Sequence, residues 1–252
     1  MDKLQQTIER IRLGHPQNPG GCTGYKCPEC MDVGWVLHKD GSGNDYAERC
    51  ACWEREEARR LMRLSGVSPE FQGKGFENFN TGNHPQLVNA KNKSIGYLES
   101  FREREKTRNN SIMFCGQVGS GKTHLGIALC NRLMDQNIAV SYMAYRNAIT
   151  RIKQVMTDEA EYNRALRPYI HARVLYIDDL LKGRVTESDV NILYEIVNYR
   201  YMNSLPLIIS TEQPIEGLIG FDEAIGSRII EMCRGNIVQL HGKDLNYRMN
   251  RR

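Results

Sequence analysis

Residues 111–123 read Ser-Ile-Met-Phe-Cys-Gly-Gln-Val-Gly-Ser-Gly-Lys-Thr. Ser111 to Cys115 have the apolar character of a buried strand. Gly116, Gln117, Val118, Gly119, Ser120, Gly121, Lys122 and Thr123 form a complete phosphate-binding loop. From His124 onward, Leu125, Ala128, Leu129 and Leu133 recur at helical spacing. Strand, glycine loop and helix in that order are the context in which this pattern binds a nucleotide triphosphate. The glycines let the backbone turn sharply and aim its N–H groups at phosphate oxygens. The helix start adds partial positive charge at the same point, and His124 lies in its first turn. Lys122 reaches the β- and γ-phosphates, and the Thr123 hydroxyl is placed to ligate Mg²⁺.

Downstream, Val174-Leu175-Tyr176-Ile177 reads as a strand ending in Asp178-Asp179, about 55 residues past the loop. Asp178 is placed to hold the Mg²⁺ shell through water, and Asp179 to position or activate an attacking water. Further strands are expected at Ile138–Met143, Leu207–Ser210 and Asn236–Leu240, with helices between them. The alternation implies an α/β fold with a parallel five-stranded sheet and helices on both faces. Arg228 and Arg248 are the candidates for a guanidinium against a γ-phosphate.

The chain has 252 residues, 40% hydrophobic and 25% charged, with a net charge of +4. These values fit a globular protein with one sizeable core and a smaller module. No apolar run approaches the ~20 residues that cross a bilayer, and MDKLQQTIER has no signal-peptide core. A cytoplasmic protein without a membrane partner is expected. The mild positive charge permits nucleic-acid contact without arguing for it.

Five of the eight cysteines fall within the first 52 residues. Cys27 and Cys30 form a C-x-x-C knuckle, and Cys50 and Cys52 a C-x-C pair. Between them, strand-like Gly34–His38 and Tyr46–Arg49 flank turn-forming Lys39–Asp45. A hairpin there brings the two pairs together, and four thiolates satisfy tetrahedral Zn²⁺. In so small a module the metal supplies most of the folding energy, on the order of 10 kcal/mol. Four thiolates leave no open coordination position, which points to a structural role. Cys22 either replaces one of the four or stands by, and His38 reads as a strand residue. Amphipathic helices are expected around Leu4, Ile8 and Ile11 and over Trp53–Leu64. Gly66-Val67-Ser68-Pro69 breaks the second and divides the chain into domains 1–66 and 67–252.

Taken together, CPEC…CAC, GQVGSGKT, VLYIDDL, IISTE, GSRIIEM and the final GKDLNYR resemble the bacterial and phage replicative helicase loaders of the DnaC/DnaI type. That AAA+ ATPase group also includes the IstB transposition helpers. The resemblance spans nearly the whole chain, and the zinc module favours the DnaI and phage-loader branch. It implies an AAA+ domain, ATP hydrolysis, and self-association in a ring or spiral with nucleotide between neighbours. It further implies that the amino-terminal domain grips a replicative hexameric DNA helicase, while the ATPase domain binds ATP and single-stranded DNA. By this likeness Arg228 is an arginine finger acting in trans and Arg248 the second sensor.

The sequence departs from the family pattern at two positions. The water-activating residue is usually Glu but here is Asp179, one methylene shorter, so slow hydrolysis is expected. The first-sensor position, often Asn, falls at Glu212, with Thr211 as the substitute. Only twelve residues follow Leu240, too few for a helical lid, so closure over the nucleotide is expected from a neighbouring subunit. For single-stranded DNA, the stretch Arg146–Arg173 offers Arg146, Arg151, Lys153, Arg164, Arg167 and Arg173 among Tyr145, Tyr162 and Tyr169. The alternative client is a transposase, with the chain acting on duplex DNA as an IstB-like helper.

Overall fold

A computed structural model describes residues 26–50, 52, 53, 56, 60 and 73–249. Cys22, the first amphipathic segment and the Gly66–Pro69 break lie outside the described residues. Of the expected second helix, residues 53, 56 and 60 are described, and each is helical. The chain divides into two compact units, Met1–Glu57 and Ala58–Arg252.

In the first unit, β1 (Trp35–Lys39) and β2 (Asp45–Arg49) form an antiparallel hairpin in the register Trp35 to Arg49 through Lys39 to Asp45. Asp40 builds the turn, its carboxylate accepting the N–H groups of Ser42 and Asn44 at 2.9 and 2.8 Å. Those bonds hold its pKa below the usual range, with the Asn44 N–H the largest contributor. Cys27 and Cys30 precede β1 and Cys50 follows β2. Closing the hairpin therefore brings them together, and Cys50 N–H donates to Gly34 O at 3.0 Å.

The second unit begins with α1 (Pro85–Glu99) and α2 (Phe101–Arg104). The next elements are β3 (Ile112–Gly116), α3 (Lys122–Asp135), β4 (Val140–Ala144), α4 (Tyr145–Gln154) and α5 (Glu159–Ile170). Then come β5 (Val174–Leu180), α6 (Glu187–Met202), β6 (Leu207–Thr211), α7 (Ile215–Phe221), α8 (Glu223–Met232) and β7 (Ile237–Leu240). Helix starts follow their capping chemistry. Asp158 and Asp222 cap α5 and α8, and Thr186 with Asp189 forms a capping box on α6. Helix α4 ends at Gln154, with Val155 as its cap.

The five strands are all parallel, in the order β4-β5-β6-β3-β7. Their side chains alternate between two cores. Ile112, Phe114, Val140, Tyr142, Val174, Tyr176 and Ile208 pack against α1 and α3. Met113, Cys115, Met143, Leu175, Ile177, Leu207 and Ile209 pack against α4, α5, α6 and α8. This is the expected α/β sandwich. The strand order sets the carboxyl ends of β5, β6 and β3 side by side, where ligands bind in open α/β sheets.

Candidate nucleotide site and cysteine cluster

At the end of β3, Gly116 (φ 122°) lies so close to Leu240 that a Cβ would strike its carbonyl. Gly121 (φ 89°) caps α3, and a Cβ there would come within 2.6 Å of the Phe79 ring. Only glycine fits either position. The loop stands in front of a cavity of about 410 Å³ lined by Val118 to His124, Asp179, Lys182, Glu212 and Arg248, with Phe79, Leu87, Leu245 and Tyr247 among its other walls.

Lys122 is almost fully buried and donates to Gly116 O at 2.8 Å and Gln117 O at 2.6 Å. Burial pushes its pKa down, while the Glu212 and Asp179 charges oppose the shift. His124 Nε2 lies 2.9 Å from Gly75 O, so that nitrogen carries the proton. Burial holds the His124 pKa below 6.5.

Asp178 sits one layer beneath the cavity. Val174, Tyr176 and Asp178 share one face of β5, which aims the carboxylate at the start of α3. Its Oδ1 accepts from Thr123 Oγ1 at 3.0 Å, from Tyr176 at 2.8 Å and from Ser210, and its Oδ2 from Tyr142 at 2.8 Å. Four neutral hydroxyls thus satisfy a carboxylate that is 7% exposed. Thr123 donates its proton there and keeps its lone pairs free for a cation.

Strict alternation would turn Asp179 to the opposite face of the sheet. The strand, expected to end in Asp178-Asp179, runs on to Leu180 with a bulge: Ile177 pairs with Ile209 and Leu180 with Thr211. Asp179 takes φ 56° inside that bulge and lines the cavity. Bulges re-aim side chains in this way beside active sites. Ser210 Oγ accepts the Asp179 N–H at 3.0 Å while donating to Asp178, so one hydroxyl fixes both residues. Lys182 Nζ then pairs with Asp179 at 2.8 Å and with Glu212 at 3.2 Å.

Thr211, the substitute first-sensor candidate, is not among the residues that line the cavity. It is fully buried and donates to Leu180 O at 2.8 Å. Glu212 is the residue at the cavity wall. Residues after β7 also contribute to the cavity wall. The segment after β7 lies along the loop, with Tyr247 N–H on Gly119 O at 3.1 Å. Gln86 exchanges two hydrogen bonds with His241, at 2.9 and 3.0 Å, and His84 Nε2 lies 2.9 Å from Asp244.

Arg248 is thus brought to the cavity, whereas Arg228 on α8 is not among the residues that line it. Arg228 donates to Ala224 O at 2.7 Å and lies over the rings of Tyr194 and Tyr201. Several cations expected to meet nucleic acid also have partners within the chain. Lys153 pairs with Asp189 at 2.7 Å, Arg164 with Glu161 at 2.7 Å, and Arg173 with Glu105. Arg146 donates to Arg184 O at 2.7 Å, and Tyr145 is buried. Arg151 and Arg167 are exposed.

In the first unit, the sulfurs of Cys27, Cys30, Cys50 and Cys52 lie within 4.8 Å of one another. The Cys27–Cys50 and Cys30–Cys52 separations are 3.7 and 3.2 Å. Tetrahedral Zn–S geometry spaces its sulfurs at about 3.8 Å, so the donor set fits Zn²⁺. Gly34 N–H donates to Cys30 Sγ at 3.3 Å, the contact a ligating sulfur needs for orientation. Burial drives the Cys50 thiol up to about 11. At Cys27 burial, the largest single influence, acts in the same direction, but hydrogen bonds from the N–H groups of Cys30 and Glu29 and from the Cys30 and Cys50 side chains together bring the thiol to about 7. His38 is outside the cluster, stacked on Tyr46 and 3.4 Å from Glu48.

The sheet order, the loop and the acidic bulge define a P-loop nucleotide-binding protein of the AAA+ class. More narrowly, the chain belongs to the family of IstB-like ATP binding proteins, which matches residues 48–249. It is 35% identical to the phage-like element PBSX protein XkdC of Bacillus subtilis (strain 168), over 98% of this chain and 97% of that one. It is 27% identical to the replicative helicase loader DnaC of Escherichia coli (strain K12), over 75% of this chain and 76% of that one. The fold is similar to the crystal structure of the DnaC helicase loader, with a TM-score of 0.60 and 21% identity, covering 69% of this chain and 100% of that one. Among the described residues, no helix is long and apolar enough to cross a membrane.

The residues that sequence reasoning missed are Ser210, Tyr142 and Tyr176 around Asp178, and Lys182 beside Asp179. A hydroxyl or a lysine in a strand or turn carries no signal until its partner is in place.

Proposed function

We propose that this chain is an ATP-dependent loader that binds a replicative hexameric DNA helicase and places it on single-stranded DNA. The observation that carries the reading is a complete ATPase constellation of Lys122, Thr123, Asp178 and Asp179 on a chain that also bears a four-cysteine module. The likeness to a replicative helicase loader supports it. Residues 1–66, with Zn²⁺ on Cys27, Cys30, Cys50 and Cys52, form the helicase-binding domain, and residues 67–252 the ATPase. Single-stranded DNA meets the Arg146–Arg173 stretch.

In this reading the backbone N–H groups from Val118 to Thr123 and the Lys122 ammonium bind and orient the phosphates. Thr123, with Asp178 through water, would hold Mg²⁺, and the ion would supply positive charge against the phosphates. Asp179 takes the proton of the attacking water as the new oxygen–phosphorus bond forms. The bond from that phosphorus to the bridging oxygen breaks, releasing ADP, and the proton passes on to the freed phosphate. Arg228 of a neighbouring subunit and Arg248 of the same chain stabilise the charge that develops. The short reach of Asp179 keeps the cycle slow, which suits a timed release of the helicase.

Full-length protein mixed with the replicative helicase of its host should form a complex that forms with ATP and is lost when Cys30 and Cys52 are replaced by serine. No complex with or without ATP would defeat the reading. The family match supports a second reading, a transposition helper. Nucleotide-dependent filaments on duplex DNA, with no helicase complex, would select it.

A further inference from the structure

Lys182 stands three residues beyond the hydrolytic carboxylate, in a turn that Lys182 N–H closes onto Asp179 O at 3.1 Å. Asp179, Leu181 and Gly183 adopt φ of 56°, 61° and 86°. Two of these are non-glycine residues in the left-handed region, a conformation that costs about 1 kcal/mol or more per residue. The surrounding bonds enforce it: Ser210 holds the Asp179 N–H, and Thr211 Oγ1 holds Leu180 O. The turn folds the Lys182 ammonium back over the cavity that Lys122 also lines.

Lys182 pairs there with two carboxylates, Asp179 at 2.8 Å and Glu212 at 3.2 Å. Its side chain is 48% exposed and those of Asp179 and Glu212 are 38% and 33% exposed. Ion pairs this open to water contribute about 1 kcal/mol or less. They are strong enough to orient a carboxylate and weak enough to exchange. A terminal phosphate near Lys122 brings more negative charge than either carboxylate and takes bidentate or multiple hydrogen bonds.

From this geometry we infer that Lys182 is a positioning residue that reads the γ-phosphate: it leaves Asp179 for that phosphate and so frees the carboxylate to take the proton of water. With a diphosphate bound, Lys182 stays on Asp179, and the base stays occupied. Glu212 holds the ammonium from the other side, so that the exchange is a short swing within the cavity. The inference rests on the ATPase reading of the site and adds to it a link between the nucleotide's charge and the availability of the base.

The test measures affinity of the full-length protein for Mg²⁺ with ADP and with a non-hydrolysable ATP analogue, by calorimetry. In Lys182→Ala the preference for the triphosphate should fall roughly tenfold, the size of one charge-assisted hydrogen bond. ADP affinity should stay within about twofold, because Lys182 gives the diphosphate nothing. Lys182→Arg should restore the preference. Glu212→Gln, which removes a competitor for the ammonium, should raise triphosphate affinity severalfold. An unchanged preference in Lys182→Ala, or equal weakening of both nucleotides, overturns the inference and leaves the ATPase reading standing. Wild-type protein that binds neither nucleotide overturns both.

Discussion

Thr123 Oγ1 donates a 3.0 Å hydrogen bond to Asp178 Oδ1, tying the start of α3 to the end of β5 across 55 residues of chain. The bond makes one unit of the phosphate loop and the acidic strand. Tyr142, Tyr176 and Ser210 complete the shell, so hydroxyl donors satisfy both oxygens of the buried carboxylate.

Replacing Asp178 by alanine would strand those hydroxyls. Each buried donor left without an acceptor costs about 1–3 kcal/mol. Differential scanning calorimetry of Asp178→Ala should show the larger thermal transition moved down by several degrees, with a smaller loss for Asp178→Asn, which keeps two acceptor lone pairs. An unmoved transition in the alanine variant would show that the shell does not support the fold.

His124 gives the site a pH dependence of defined sign. Burial depresses its folded-state pKa below 6.5, so below that pH the unfolded chain binds more protons than the folded one. Its contribution is constant above pH 6.5 and turns against folding as the pH falls, until the folded-state imidazole itself titrates. His124→Gln keeps a donor for Gly75 O and cannot titrate. Its melting temperature should fall less than that of wild type between pH 7 and pH 5, and parallel curves would refute the assignment.

The cysteine cluster should carry one Zn²⁺ per chain, measurable by elemental analysis of the purified protein. Chelation, or Cys30→Ser, should abolish the smaller module's folding signal and leave ATP affinity within about twofold, because binding free energy and folding free energy are one quantity in such modules. A metal-free preparation with an intact module would overturn the zinc assignment.

The two arginines should separate by their placement. Arg248 lines the cavity of its own chain, so Arg248→Ala should weaken ATP binding roughly tenfold even in a monomer. Arg228 is set on α8 by Ala224, Tyr194 and Tyr201. Arg228→Ala should leave ATP affinity unchanged and lower turnover in assemblies by on the order of 10³, the effect of a finger supplied in trans. Adding a chain with intact Arg228 but Asp179→Asn should restore turnover. Failure of that rescue would sink the trans role.

Much of the fold follows from local pattern. The five strands of the sheet appear where apolar runs stand between turn residues, because a strand buried on both faces must be apolar throughout. The phosphate loop is equally legible, since Gly116 and Gly121 hold backbone conformations and close contacts that other residues cannot. The cysteine pairs meet because a hairpin returns its two ends to one place.

What the sequence by itself determined is the set of parts: a phosphate loop, an acidic pair, a four-thiol module and a parallel sheet. What only the tertiary structure decided is how each part is aimed. The bulge turns Asp179 into the cavity, the order of β5, β6 and β3 brings Ser210 to both aspartates, and the final segment lies along the loop. Those outcomes depend on pairings between residues far apart in the chain. A lysine such as Lys182 has no local signature until the turn that carries it is closed onto Asp179 and Glu212.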